Sequence, residues 1–220
     1  MHLFRKRSHI SYPIKGDNNQ ILLDNADITR DIRRLRIMIN GNNNTIIISS
    51  KAIFKHTSNI HITGNNNFIQ IGDGDIGGVF YIFIHGDRCQ CIWGDNTTAV
   101  HTNIIIGEDD SGCIIGNDCM LANADIRASD GHTIIDTETG KVLNRSKGFI
   151  TIGNNCWIGQ NCILTKNARL PDNTIVGAMS LVTKEFTATN TLIAGAPAQI
   201  LRYGVKCSKL SPSNYLKSIE

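Results

Sequence analysis

Long apolar segments, aromatic residues and strong net charge are all scarce in this sequence. Aromatic residues make up 6% of its 220 residues, and prolines number four. No run approaches the roughly eighteen consecutive apolar positions that a membrane helix needs, so we expect no integral membrane segment. The formal net charge of +3 is too small to indicate a nucleic-acid partner. A chain poor in these features and rich in Gly, Asn and Ile favours short strands joined by tight turns.

No secretion signal is visible at the start of the chain. The basic stretch "MHLFRKRSH" is not followed by an apolar run, as it would be in a signal peptide. The seven cysteines are an odd number, which does not suit a framework of disulfides. We therefore expect reduced thiols and a cytoplasmic protein.

What the sequence does have is an aliphatic residue at every sixth position near its C-terminal end. These positions are Ile152, Ile158, Leu164, Leu170, Val176 and Val182. A small residue follows four positions later, at Cys156, Cys162, Ala168, Thr174 and Ser180. A period of six fits neither a helix nor a single strand. It predicts a solenoid with three flat faces, in which each coil takes 18 residues and Ile152 stacks on Leu170.

The same register explains most of the cysteines. Cys113 and Cys119 occupy the small positions before Ile115 and Leu121, so four of the seven cysteines stand where the repeat wants a small apolar residue. We therefore expect no cysteine nucleophile. The spacing C-x₅-C is not a pattern of metal ligands, so we also expect no metal.

The N-terminal half repeats more loosely, with Asn-rich clusters that begin at Gly16, Gly41, Gly64 and Gly86. Asn and Gly tolerate positive φ, so each cluster predicts a corner before a strand, although a glycan-binding ladder is the alternative. Residues 29–40 are predicted to be a strand with its arginines outside. We thus divide the chain into irregular coils (1–103), a hexapeptide β-helix with a protruding loop at 127–148 (104–191), and a C-terminal Gly-Ala-Pro turn, short helix and tail (192–220).

Two motifs carry a resemblance to a known family. "ITIGNNCWIGQNCILTKNARLPDNTIVGAMSLVTKEF", followed by "LIAGAPAQILR", resembles the hexapeptide acyltransferases, which fold as left-handed parallel β-helices. "SDGHTIIDTETG" and "VLNRSKGFITIG" are similar to the branch that acetylates sugar hydroxyls, above all to capsular polysaccharide and polysialic acid O-acetyltransferases. The resemblance covers roughly residues 104–204. It implies an all-β, left-handed parallel β-helix solenoid, a homotrimer with clefts between subunits, and acetyl-CoA as the acetyl donor.

The resemblance also implies a catalytic site. His132 is the one histidine of the protruding loop, and it stands where the family carries a general base, a role that suits imidazole near neutral pH. Asp130 or Asp136 would orient its ring, unless they only cap the loop. Trp157 is expected beside the thioester, where its indole N–H can bond the acetyl carbonyl. The alternative for Trp157 is a surface aromatic at a subunit contact.

The donor and the acceptor each need a surface. Small side chains at Gly159, Ala178, Ala194 and Gly195 are expected to let the pantetheine arm lie against the backbone. The cations expected at the coenzyme A phosphates, by family position, are Lys166, Lys184 and Arg202, although Lys166 is equally explained as a solvated surface residue. The basic residues around the loop, which would attract an anionic acceptor, are Arg127, Lys141, Arg145 and Lys147.

The sequence thus predicts an O-acetyltransferase that modifies a polysaccharide, such as the anionic polymer polysialic acid, by direct attack of a sugar hydroxyl. One alternative is an acetyltransferase for a small free acceptor, namely a sugar, an amino sugar or serine. The long N-terminal half argues weakly against it, since that half could extend an acceptor groove. A catalytically silent solenoid that binds glycan is the other alternative. The presence of His132, Trp157 and "AGAPAQILR" argues against that reading.

Overall fold

The computed structural model describes residues 14–24, 26–27, 32, 34–146 and 148–220. The first coils contain the strands β1 (Ile14–Lys15), β2 (Gln20–Leu23), β3 (Ala26–Asp27), β4 (Leu35–Asn40), β5 (Thr45–Ile48), β6 (Ala52–Phe54), β7 (Ser58–Thr63), β8 (Phe68–Ile71) and β9 (Gly74–Ile76). The middle coils contain β10 (Phe80–His85), β11 (Gln90–Trp93), β12 (Thr98–Val100), β13 (Thr102–Ile106), β14 (Gly112–Ile115), β15 (Met120–Ala122) and β16 (Asp125–Arg127). The last coils contain β17 (Phe149–Ile152), β18 (Trp157–Ile158), β19 (Ile163–Thr165), β20 (Arg169–Leu170), β21 (Ile175–Val176), β22 (Leu181–Val182), β23 (Thr191–Gly195) and β24 (Ala198–Tyr203), followed by the helix α1 (Pro212–Ile219).

The chain winds into a β-solenoid of about 7 turns, whose three faces are three eight-stranded sheets. Face A has the order β1-β4-β7-β10-β13-β16-β19-β22, face B the order β20-β17-β14-β11-β8-β5-β2-β3, and face C the order β24-β23-β21-β18-β15-β12-β9-β6. Among the named strands, only the terminal pairs β2–β3 and β23–β24 are antiparallel. The predicted solenoid is confirmed, and its left hand stays a prediction from the resemblance.

The six-residue repeat forms the interior, as predicted. Ile152 pairs with Leu170, and Ile158 pairs with Val176 one coil later. All six aliphatic positions of the repeat are buried, and so are the small residues that accompany them. Burying an aliphatic side chain of this size stabilises a fold by roughly 1.5–3 kcal/mol, and each coil can bury its own only against its neighbours.

The coils before the loop are longer than those after it. Ile60 pairs with Ile82, so one coil there takes 22 residues, whereas Leu164 pairs with Val182 after 18. Between these regions, Ile126 pairs with Leu164 across 38 residues. The loop therefore adds about twenty residues at the place where the coil length changes.

The Asn-rich clusters are stacked turns. The side-chain Oδ1 of Asn42 accepts the backbone N–H of Asp17 at 2.7 Å, and that of Asn65 accepts the N–H of Asn42 at 2.9 Å. The central residue of each turn has positive φ, as at Asn43 and Asn66. A Cβ on Gly64, whose φ is 138°, would lie 2.0 Å from the carbonyl oxygen of Gly86 in the next coil, so only glycine fits there. The structure explains these clusters as corners.

The predicted strand at residues 29–40 is confirmed for β4, where Arg36 is exposed. Residues 28–31 and 33 lie outside the described residues. None of the helices within the described part of the chain has the length and apolar character of a membrane-spanning segment.

The prediction of a helix directly after the Gly-Ala-Pro turn is wrong. That segment is β24, which pairs antiparallel with β23, as between Ile193 and Ile200. The pairing covers the open edge of face C, whose N–H and C=O groups would otherwise lack partners, and this outweighs the local preference for a helix. The short helix α1 lies further on, with the Ser211 side chain accepting the N–H of Asn214 as its N-cap.

Candidate functional site

The protruding loop leaves the solenoid between β16 on face A and β17 on face B, and it folds into a small hairpin. Ile135 and Val142 form an antiparallel bridge, and the N–H of Leu143 donates to the carbonyl of Ile134 at 2.9 Å. The loop is therefore an ordered element that stands out from one corner of the prism.

Asp136 closes the turn of this hairpin. Its carboxylate accepts the N–H and the hydroxyl of Thr139 at 2.7 and 2.8 Å, and the N–H of Glu138 at 3.1 Å. These bonds lower the pKa of the Asp136 carboxyl group, and the bond from the Thr139 N–H has the largest effect. These contacts correspond to the loop-capping alternative: the Asp136 carboxylate bonds Glu138 and Thr139 within its own turn.

His132 lines a pocket of about 210 Å³ at the base of the loop. The other lining residues are Gly107, Glu108, Gly131, Thr133, Val142, Asn144 and Arg145. The His132 side chain is exposed, and its ring makes no hydrogen bond within the described residues. Both ring nitrogens are thus accessible to a molecule that enters the pocket.

The walls of this pocket carry charges of both signs. Glu108 follows β13, and its Oε2 accepts the backbone N–H of Ser146 at 3.0 Å. Arg145 lies in the returning strand of the hairpin. The pKa of the nearby Asp110 carboxyl group is lowered mainly by Arg88, and the charge of Arg145 adds to this effect. The pocket can therefore bind hydroxyl groups through Glu108 and negative charge through Arg145.

Sequence reasoning missed Glu108, although a signal for it exists. In the 22-residue coils, position 108 lies one coil below position 130, as Ile104 lies below Ile126. Applying that spacing to Asp130 would have located Glu108 beneath the loop.

Asp130 and Lys166 contact each other instead of the groups predicted for them. The Lys166 Nζ donates to the Asp130 carboxylate and to the carbonyl of Asn144, and its side chain is only 15% exposed. Lys166, followed by the Asn144 amide at 2.8 Å, lowers the pKa of the Asp130 carboxyl group. Asp130 therefore bonds Lys166 and Asn144, and the expected places of Lys166 at the coenzyme A phosphates and of Asp130 at the His132 ring stay predictions.

Trp157 lies away from His132 in the single chain. It belongs to β18 on face C, between Met120 and Ile175 of the adjacent coils, and it is 45% exposed. It is not among the residues that line the His132 pocket. One chain thus presents its two main predicted catalytic residues on different sides.

The four small residues predicted for the pantetheine arm do come together beside Trp157. Gly159, Ala178, Ala194 and Gly195 lie at the same side of face C in three successive coils. A Cβ on Gly159 would lie 2.7 Å from the N of Ala178, so coil stacking alone requires glycine there. The Gly195 N–H donates to the Ser180 hydroxyl at 3.1 Å, with φ at 105°. This strip of small residues can accept an extended chain along the backbone.

The two remaining cations lie near the end of the solenoid. Lys184 donates to Gln199 Oε1 at 3.1 Å and lies 5.4 Å from the centre of the Phe186 ring. It lines an open cleft of about 300 Å³ together with Asn167, Arg169, Thr183 and Glu185. Arg202 is exposed on β24, opposite Leu192.

Only one of the four basic residues predicted for the acceptor is shown to line the pocket, and it is Arg145. Arg127 bonds Asp125 at 2.8 Å, so its charge is compensated. Lys141 is exposed at the hairpin turn, and Lys147 lies outside the described residues.

The cysteines occupy the interior, as predicted. Six of the seven are buried, and all seven are free. Burial raises the pKa of Cys91 to about 12 and that of Cys89 to about 11, while the adjacent Cys119 thiol and burial raise the pKa of Cys156. Thiols in this state are poor nucleophiles. Within the described ranges, no three His, Cys, Asp or Glu side chains are grouped closely enough to hold a metal ion.

Sequence comparison finds relatives over part of the chain. No family model matches. The galactoside O-acetyltransferase of Escherichia coli (strain K12) is 33% identical over 94 residues, which cover 43% of this chain and 45% of that protein. The polysialic acid O-acetyltransferase of Escherichia coli O1:K1 / APEC is 31% identical over 138 residues, which cover 57% of this chain and 44% of that protein. The chain spans less than half the length of these curated relatives.

Structure comparison covers nearly the whole chain. The polySia specific acetyltransferase NeuO superposes with a TM-score of 0.77 at 24% identity, over 96% of this chain and 99% of that one. The polysialic acid O-acetyltransferase OatWY superposes with a TM-score of 0.65 at 26% identity, over 94% of this chain and 95% of that one. The first match shows the shared fold, and the second adds sequence similarity over the same length. With its hexapeptide register and its β-solenoid, the chain is similar to the hexapeptide-repeat β-helix acetyltransferases, and among them to the polysialic acid O-acetyltransferases.

Proposed function

We propose that this protein is an acetyl-CoA-dependent O-acetyltransferase that modifies a sugar hydroxyl of a polysaccharide, such as polysialic acid. The observation that carries the proposal is the exposed His132 ring, which forms no hydrogen bond with the part of the chain that the structure describes and lies in a pocket lined by Glu108 and Arg145. The names of the relatives support the reaction class. A cytoplasmic location is part of the proposal, because all seven cysteines are free and disulfides form in oxidising compartments.

In this reaction His132 acts as the general base. The imidazole takes the proton of the sugar hydroxyl as the oxygen attacks the thioester carbonyl, and the tetrahedral intermediate then collapses. The C–S bond breaks, the new ester keeps the acetyl group, and the thiolate leaves and is protonated to coenzyme A. A positioned general base contributes about 10²–10⁴-fold to such a rate, and alignment of the two reactants contributes more.

The strip of small residues on face C supports binding of the donor there. The pantetheine arm would lie along Gly159, Ala178 and Gly195, with its amides bonded to the backbone. Lys184 and Arg202 would contact the phosphates, and the Trp157 N–H would hold the acetyl carbonyl as negative charge develops on it. Lys166 is left out of this set because it bonds the loop.

The separation of His132 from Trp157 supports a homotrimer. Both residues must meet at one thioester, so the hairpin of one chain would reach face C of a neighbour. Four apolar side chains of the hairpin are at least half exposed and would be covered by such a contact; they are Ile134, Ile135, Val142 and Leu143. The trimer would give three such clefts.

A neutral or small acceptor is a second candidate, and Glu108 favours it. A carboxylate on the pocket wall repels an anionic sugar and bonds the hydroxyls of a neutral one, whereas Arg145 favours the anion. The acceptor is identified by measuring free thiol released from acetyl-CoA with polysialic acid, a neutral polysaccharide, free sugars and serine. For a polyanion, rising salt should raise the KM of the acceptor more than that of acetyl-CoA.

The test of the proposal as a whole is His132→Ala. We expect the rate of acetyl transfer to fall by about 10²-fold or more, because the general base is lost. Coenzyme A binding, measured by calorimetry, should change little, since its proposed contacts lie on face C. Near-normal turnover in the variant would sink the mechanism, and glycan binding with no thiol release from any acceptor would favour the silent solenoid.

A further inference from the structure

Three side chains tie the loop to the body of the solenoid at the foot of the hairpin. Lys166 comes from the body, one residue after β19, and its Nζ reaches across to the Asp130 carboxylate and to the carbonyl of Asn144. Asp130 belongs to the outgoing strand of the loop and Asn144 to the returning one. The Lys166 contacts thus join both strands of the loop to a rigid coil.

Asn144 completes this arrangement with both ends of its side-chain amide. The Nδ2 donates to Asp130 Oδ2 at 2.8 Å and to the carbonyl of His132 at 2.8 Å. The Oδ1 accepts the backbone N–H of Ile134 at 2.8 Å. The bonds therefore hold the side chain two residues before His132, and the backbone at His132 itself and two residues after it.

The pocket shows why these contacts matter for the position of the ring. His132 is exposed and no side chain among the described residues bonds its imidazole, so its location depends on the backbone that carries it. The partners that Lys166 bonds belong to a loop outside the solenoid core, so we expect the main effect of these bonds to be the local order of that loop. A misplacement of reacting groups by about 1 Å can cost on the order of 10²-fold in rate.

We propose that Lys166, Asp130 and Asn144 form a clasp that positions His132, and that Lys166 and Asn144 are positioning residues for acetyl transfer. The inference rests on the proposed function, in which His132 is the base. It assigns Lys166 to the loop and not to the phosphates of the donor. It also gives Asp130 an effect on His132 that passes through the backbone and not through a bond to the ring.

Lys166→Met is the first test, since it keeps an unbranched side chain of similar length and removes the donors. We expect kcat to fall on the order of tenfold to 10²-fold, while the KM of acetyl-CoA stays within about twofold. Lys166→Arg should recover part of kcat. A raised KM for acetyl-CoA with unchanged kcat would overturn the proposal, because it is the result expected of a phosphate ligand.

Lys55→Met is the matched control. It removes another Lys–Asp contact between neighbouring coils, to Asp75 at 2.7 Å, far from the loop in sequence. We expect its kcat to equal that of the wild type. Equal losses in Lys55→Met and Lys166→Met would reduce the effect to general destabilisation and overturn the clasp.

Asn144→Leu and Asp130→Asn test the other two members. Each should lower kcat, and combining either with Lys166→Met should add less than the separate losses predict, since all three residues act as one unit. Fully additive losses would contradict a shared network.

Hydrogen–deuterium exchange separates this proposal from the proposed function. The Ile134 N–H is bonded to Asn144, so Asn144→Leu and Lys166→Met should speed exchange in residues 130–144, also in a His132→Ala background. If His132→Ala keeps its activity while Asn144→Leu and Lys166→Met make exchange faster, the proposed base is wrong and the clasp stands. If exchange stays unchanged in both variants, the clasp is wrong whatever His132 does.

Discussion

The wide coils (residues 35–127) and the narrow coils (residues 149–195) solve the same packing problem with different side chains. The wide coils repeat after 22 or 23 residues and hold large aromatic side chains, including Trp93 and Phe80, whose rings meet edge to face at 4.9 Å. The narrow coils repeat after 17 or 18 residues and hold aliphatic residues with Cys, Ala, Thr and Ser beside them. Coil length thus sets the size of the interior, and the interior sets which residues fit.

The wide and the narrow coils also differ in the residues at their corners. In the first three clusters of the wide coils, a second Asn takes part in a ladder, so that the buried Asn44 accepts the N–H of Asn67 at 3.0 Å and donates to Asn19; in the fourth cluster, Cys89 takes this place. In the narrow coils, a cysteine or a small hydroxyl residue takes this place, such as Cys156, which bonds the carbonyl of Pro171 at 3.3 Å. The protruding loop stands at the junction of the two regions, where a change of coil length already interrupts the repeat.

The largest expected effect is on the interior of the wide coils. Trp93→Ala should lower the free energy of unfolding by about 3–5 kcal/mol, because the ring is 1% exposed and its loss leaves a cavity. Val182→Ala in a narrow coil removes two buried carbon atoms and should lower the free energy of unfolding by about 1.6 kcal/mol. Denaturant titration of both variants measures the difference, and equal costs would contradict the link between coil length and interior size.

The next effect concerns the inward asparagines. Asn44→Leu should cost about 1–3 kcal/mol, because it leaves the buried N–H of Asn67 without its acceptor. Asn42→Ala is the control: Asn42 also accepts a backbone N–H, from Asp17, but it is exposed, and water can replace the bond. Its effect should stay within about 0.5 kcal/mol. A loss in Asn42→Ala as large as that in Asn44→Leu would refute the structural role of the buried ladder.

The smallest effect is expected at the cysteines of the narrow coils. Cys156→Ala keeps a small residue in the repeat, so acetyl transfer, measured as thiol release, should remain within several-fold of the wild type. Total loss of transfer with an intact fold, together with a trapped acetylated Cys156 in the wild type, would revive a covalent route.

Much of the fold could be predicted because its signal is local and periodic. The spacing of Ile152, Ile158 and Leu164 is visible within two coils of sequence, and it correctly predicted which residues stack. The segment after Pro197 could not be predicted in this way, because its partner β23 offers a sheet edge that local preferences do not reveal.

The candidate site likewise has parts that could be predicted from the sequence and parts that could not. The place of the loop and of the strip of small residues followed from the repeat and from the family resemblance. Glu108 was missed, and Lys166 was expected elsewhere, because both contact the loop from another part of the chain. Asn144 was missed because its contacts depend on how the loop folds on itself.

The sequence by itself determined the interior and the corners of this protein, since a solenoid repeats one local arrangement and each residue meets its equivalent in the next coil. Only the tertiary structure decided how the loop is held. The contacts of Asp130, Asn144 and Lys166 join residues 14 to 36 positions apart, and no period relates these distances. They arise because the loop leaves the repeat, folds on itself and returns to one corner of the prism, where the side chains that meet depend on the path of the whole chain.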